Sequence, residues 1–192
     1  MFLKTCLLPE DQTNHLRQLI LEHGTFKAWV GQFADNTTHN TELLHRLFLF
    51  LTPMVKDCLD IASIKTRVQT MGCNLSDLSH LKQVFFDVPT EAGALCFELI
   101  YFTGNAWTAL HMHPEYVMDE IIAGTLEEHL YQRDETSQGS YSLIRKCQRP
   151  TGDTRVIYDP EGSPHNVRGS SDGCLILCLY LGTQVMQTIE SA

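Results

Sequence analysis

Along this chain the spacing of apolar residues changes character once, near residue 84, and the change separates two kinds of predicted element. Upstream, apolar residues recur at helical spacing and the breaks carry helix punctuation. Leu16, Ile20 and Leu21 precede Gly24, a short piece follows Thr25, and Thr41 stands ahead of Leu43, Leu44, Leu47 and Leu51. Thr52 reads as the cap of a further helix with Pro53 in its first turn, running towards Gly72. Ser76 reads as the cap of one more turn through Leu81. Residues 1–83 are therefore expected to form a mostly helical N-terminal segment packed on the C-terminal part of the chain.

Downstream the pattern becomes short apolar or alternating runs separated by Gly, Pro, Asn and Asp. They are Val84–Val88, Leu95–Phe102, Ala109–His113, Val117–Ile122, Thr125–Tyr131, Tyr141–Cys147, Thr154–Tyr158 and Cys174–Tyr180. Such a series of short strands argues for a sandwich or closed barrel over residues 84–192. The polar stretch Gln132–Ser140 reads as a hairpin loop.

Length and composition narrow this picture. A chain of 192 residues suits one filled barrel plus an appendage, and 43% hydrophobic with 19% charged residues is the balance of a folded globular protein. The formal net charge is −9 and the basic residues are scattered singly, which argues against nucleic acid as a partner. The N-terminal apolar run is broken by Pro9, Glu10 and Asp11 before a signal peptide could form, and the most apolar stretch, Leu47–Leu51, is far short of the roughly 20 residues of a bilayer span. No membrane partner is expected. Seven cysteines without a CxxC pair, Cys96 and Cys178 among them in apolar strands, read as reduced thiols in a cytoplasm.

The chemistry sits in the histidines. His111 and His113 are one residue apart in a β-type run, so both rings project to one face, as a chelate requires. Neutral imidazole suits borderline divalent metals, and a third ligand would complete a facial set with open positions. His165, 52 residues beyond His113, is that candidate, delivered to the start of a strand by the turn Pro160-Glu161-Gly162-Ser163-Pro164.

The stretch Gly104–Gly169 resembles the two cupin motifs, a Gly followed by HxH, a Glu and a later Gly, and then PxGxxH. Pro160, Gly162 and His165 match the second motif, with Gly169 where Asn is usual, and Gly124 is the terminal Gly of the first. Seven positions before Gly124 stands Val117 in place of the motif's Glu. Within the cupins, three histidines without the glutamate are the habit of the thiol dioxygenases similar to cysteine dioxygenase. The string from Gly124 to Tyr131, the interval to His165 and Leu179-Tyr180 agree with that group, over about residues 93–182. The resemblance implies a mainly β fold, the cupin double-stranded β-helix or jelly-roll barrel. It further implies Fe(II), with Zn, Mn, Ni or Co as alternatives, dioxygen and a small-molecule thiol as reactants, and Tyr180 beside the metal. The family's Arg for the substrate carboxylate falls here near Gln83 and Phe85, and its Ser-x-His-x-Tyr reads Ile176-x-Cys178-x-Tyr180, so only the Tyr is kept. Free cysteine is thus a doubtful substrate.

Around the three histidines, Glu115 is a candidate extra ligand, with Asp119 on the parity of Val117 as another. Glu98, Phe102 and Trp107 are candidate pocket residues, and Cys178 with Tyr180 are candidate catalytic residues. Three functions are then open. One is an Fe(II)-dependent dioxygenase that turns a small thiol into a sulfinate; the second is a cupin lyase, isomerase or carbon-bond dioxygenase using Glu115 or Asp119. The third is a metal-dependent sensor or binding module whose helices meet a partner. A homodimer is compatible with each.

Overall fold

The computed structural model describes residues 7–33, 37–71, 78–113, 116–134, 140–157, 164–182 and 187–188. Its helices are α1 (Glu10–Glu22), α2 (Gly24–Val30), α3 (Thr37–Lys56) and α4 (Ile61–Thr70). The strands are β1 (His80–Thr90), β2 (Gly93–Phe102), β3 (His111–Met112), β4 (Tyr116–Arg133), β5 (Tyr141–Pro150), β6 (Thr154–Ile157), β7 (His165–Gly182) and β8 (Gln187–Thr188). All pair antiparallel into a mainly β barrel of jelly-roll type that carries the helices on its outer surface.

Two details of the helical half differ from expectation. α3 runs unbroken through Thr52 and Pro53, so Thr52 is no cap. Pro53 is tolerated because it falls in the last turn and the carbonyl its missing N–H would meet belongs to Leu49, on the exposed side of the helix. Asp60 caps α4 instead, its carboxylate accepting from the backbone N–H of Ser63 at 3.1 Å. Leu81 lies in β1, not in a helical turn, and Ser76 lies outside the described residues.

β2 and the second half of β7, Cys174 to Leu181, read as continuous apolar runs because both of their faces are covered. On one face, Leu95, Phe97, Leu99, Leu175, Leu177, Leu179 and Leu181 join Leu16, Ile20, Leu44, Leu47, Phe48 and Leu51 of the helices. On the other, Ile100, Phe102, Cys174, Ile176 and Cys178 form a smaller interior core with Ile121, Leu126 and Val167. Helix and barrel are also tied by polar contacts: Arg17 donates to the carbonyls of Val84 and Phe85 at a bulge in β1, and Lys56 pairs with Glu120 at 2.5 Å.

β4 joins the two expected strands Val117–Ile122 and Thr125–Tyr131 into one, with register shifts on either side of Ala123 and Gly124. The close approach there needs glycine. Gly124 has a φ of +85°, and a Cβ on it would collide with the carbonyl of Gly173 across the pair. Before the shift Val117, Asp119 and Ile121 face inward; after it Leu126 and Glu128 do.

No described helix is long and apolar enough to cross a membrane. The described cysteines, 58, 96, 147, 174 and 178, are free thiols.

Candidate metal centre

Backbone pairing brings the three histidines together. His111 on β3 is the register partner of His165 on β7, a cross-strand pair, and His113 follows on the same face one residue past Met112. One ligand nitrogen from each lies within 4.8 Å of the others, and the ring centroids are 4.5–5.1 Å apart. Nitrogens about 2.0–2.1 Å from one ion lie no more than about 4.2 Å apart, so a slight inward movement of the rings closes this cluster on an ion.

The tautomers agree with that use. His111 Nδ1 is 2.8 Å from the carbonyl oxygen of Ala109 and so carries the proton, which turns its Nε2 towards the other rings. His165 Nδ1 is 2.6 Å from Glu128 Oε1, and His165 Nε2 is buried with no hydrogen-bond partner. An orphaned, buried imidazole nitrogen beside two more imidazoles fits a divalent ion. Burial, reinforced by the neighbouring His165, lowers His111 to about 4 and His113 to about 2 from an ordinary value near 6.5. Both are thus neutral, ligand-competent bases at neutral pH.

The cavity around them is walled by Ile100, Phe102, Val117, Leu126, Val167 and Ile176, and charged groups enter it in pairs. Glu128 is 0% exposed and receives a two-pronged contact from Arg155, Nη1 to Oε2 at 2.5 Å and Nη2 to Oε1 at 2.6 Å. Burial pushes the Glu128 carboxyl up, but the bonds from His165 and Arg155 outweigh it and hold the group well below the usual carboxylate range. Asp119 is held in a fork by Arg149, which also reaches Asp153 at 2.8 Å. Lys82 pairs with Glu98 at 2.8 Å and lies 5.7 Å from the centroid of the Tyr180 ring.

The candidates read from the sequence take different places around this cavity. Val117 lines it where the motif's Glu would stand, so that position supplies no carboxylate. Phe102, Cys178 and Tyr180 also line it. Burial, with Cys178 and Glu98 nearby, raises Tyr180 well above its ordinary value, and burial does the same to the Cys178 thiol; both keep their protons. Glu98 is buried and pairs with Lys82. Trp107 is no cavity wall: it stacks on His129, centroids 4.2 Å apart, beneath Arg168, because His129 and Arg168 point to the outside of the barrel. Glu115, Pro160 and Gly162 lie outside the described residues.

Three contributors escape the sequence reading. On β1 the cavity faces His80 and Lys82, whereas Phe85, on the opposite parity, packs towards the helices. A cation therefore does line the site, one residue from Gln83, where no cation was expected. Burial holds His80 down at about 4, and its Nδ1 is 2.9 Å from Ser79 Oγ. Arg155 faces inward while its apolar neighbour Val156 is 45% exposed, the reverse of what a half-buried strand suggests. The one available signal was Glu128, already part of the string that carries the resemblance.

No protein-family model matches the chain, and no curated protein does. Among solved structures, the chain is similar to the polyketide cyclase RemF from Streptomyces resistomycificus, at 18% identity and a TM-score of 0.44 over 60% of this chain and 74% of that one. It is similar to a recombinant oxalate oxidase in complex with glycolate, at 13% identity and 0.42, covering 65% of this chain and 58% of the oxidase. KdgF from Halomonas sp. matches at 16% identity and 0.38 over 54% and 82%.

Proposed function

We propose that this protein is a cupin metalloenzyme, an Fe(II)-dependent dioxygenase that converts a small thiol carrying an anionic group into its sulfinate. The observation that carries the reading is the composition of the metal centre: three imidazoles, with Asp119 and Glu128, the carboxylates that line the cavity among the described residues, already committed to arginines. Such a centre leaves the charge of a divalent ion uncompensated and so favours an anionic ligand such as a thiolate. The net conversion, RS⁻ + O₂ → RSO₂⁻, conserves atoms and charge and takes both oxygens from dioxygen, so no further reductant is needed. The metal, when bound, would supply thiol acidification and a meeting place for sulfur and dioxygen.

The chain's own residues have separable tasks. Lys82 lines the cavity with its ammonium paired to Glu98, and sharing that ammonium would let it meet a substrate carboxylate or sulfonate as well. Tyr180 keeps its proton, held between Glu98 and Cys178, and redirecting it would let the phenol donate to an oxygen on the reacting sulfur. Cys178 stays a thiol and serves as wall. Ile100, Phe102, Val117 and Ile176 keep water from the rest of the cavity.

The lyase or isomerase reading uses Glu115 or Asp119 as its added ligand or base, and Glu115 lies outside the described residues. Asp119 is bound by Arg149, which weighs against its use as that base. Helices whose buried faces lie against the barrel wall likewise weigh against a sensor whose helices meet a partner.

Oxygen uptake by Fe(II)-loaded protein, measured with a panel of neutral, cationic and anionic small thiols, tests the proposal. The expected result is one dioxygen consumed per sulfinate formed, fastest with anionic thiols, and lost along with the metal in His111→Ala and His165→Ala. Absence of uptake with every thiol in iron-replete protein would sink it.

A further inference from the structure

We infer that Arg155 is a positioning residue of the metal centre, acting on the metal through Glu128 and His165 without touching it. The role rests on the metal-centre reading and is independent of the thiol chemistry.

Glu128 is fully enclosed, and both of its oxygens are used. Oε1 meets His165 Nδ1 and Arg155 Nη2, each at 2.6 Å, and Oε2 meets Arg155 Nη1 at 2.5 Å. The contact with His165 assigns the proton to Nδ1 and aims the orphaned Nε2 into the cavity. That contact, with only the long one from the Cys147 thiol to Oε2 at 3.5 Å beside it, does not fix the plane of the carboxylate. The two-pronged guanidinium fixes it, since its fork matches the carboxylate in one plane only. Arg155 stands on β6 and Glu128 on β4, so the clamp also ties a four-residue strand to the one that pairs with His165. Removing Arg155 leaves a buried carboxylate without its cation, and such a group does not keep its former geometry. His165 then loses its fixed ring angle.

The test titrates metal-free protein with Co(II) in competition with a chromophoric chelator and follows the melting temperature of each metal-free variant alongside. Arg155→Met and Glu128→Leu are expected to weaken Co(II) binding roughly 10- to 100-fold, the range for residues that orient a ligand. Combining them should cost little more than either alone, because they act in one chain. Arg155→Lys, which restores a charge to Glu128, should recover part of the loss. A merely structural role would lower the melting temperature and leave Co(II) affinity alone. Affinity within about threefold of wild type in a folded Arg155→Met, or a double variant losing the product of the two single losses, overturns the role. If Arg155→Met does not fold, Arg155→Gln carries the same test, with unchanged affinity again overturning it. Wild-type protein that binds no Co(II), or His111→Ala that binds it normally, would sink the metal-centre reading itself, a different failure from that of the clamp.

Discussion

Val117 on β4 and Tyr180 on β7 are register partners, and both turn into the cavity that the three histidines line. The pairing puts an isopropyl group beside a protonated phenol at the place where the cupin motif has a carboxylate. A fourth, anionic ligand at this position would offset the charge that favours a thiolate.

Val117→Glu is therefore expected to retain divalent metal at least as well as wild type while slowing thiol oxidation by about tenfold or more, roughly 1.4 kcal/mol of barrier. Metal content and oxygen uptake on the same sample check both halves. Unchanged thiol turnover in a metal-replete variant would refute the role of the missing carboxylate.

Lys82→Gln keeps a donor for the buried Glu98 but removes the cation from the cavity. It should raise KM for anionic thiols by about tenfold, the loss of one charge-assisted contact, and leave neutral thiols nearly unaffected. Equal effects on both classes would show that Lys82 does not read substrate charge.

The metal-free protein should lose stability as pH falls from 7.5 to 5. His80 and His111 titrate near 4 and His113 near 2 in the folded chain, against about 6.5 when unfolded. Between those values the unfolded chain binds more protons, so acid favours unfolding, and above about 6.5 the effect is absent. At pH 5 the loss is on the order of 2 kcal/mol per histidine, while Glu128, whose own contribution fades only below the unfolded carboxylate range, does not yet act. A melting temperature at least about 5 °C lower at pH 5 than at pH 7.5 is expected. A flat profile over that window would refute burial of neutral histidines.

Arg149 and Asp119 are each 5% exposed and bonded to one another. Arg149→Met strands a buried charge and should cost about 3–5 kcal/mol in denaturant unfolding, whereas Arg149→Met combined with Asp119→Leu should recover most of it. Equal losses in the single and double variants would show that packing, and not the ion pair, matters there.

The sequence by itself determined whatever depends on near neighbours. His111 and His113 share a face because a strand alternates, β2 and the second half of β7 are apolar runs because both faces are covered, and the helical character of the N-terminal half comes from its spacing. The tertiary structure decided which side of each strand the remaining groups occupy. A one-residue shift reverses every side chain beyond it, and the shift around Ala123 and Gly124 sends Glu128 inward to His165 and leaves Glu127 outside with Arg168. The same logic puts Lys82 rather than Gln83 in the cavity. Arg155 turns inward and Val156 outward because a buried carboxylate 27 residues away in the chain needs a cation. No local pattern contains that demand; only the tertiary structure brings the two residues together.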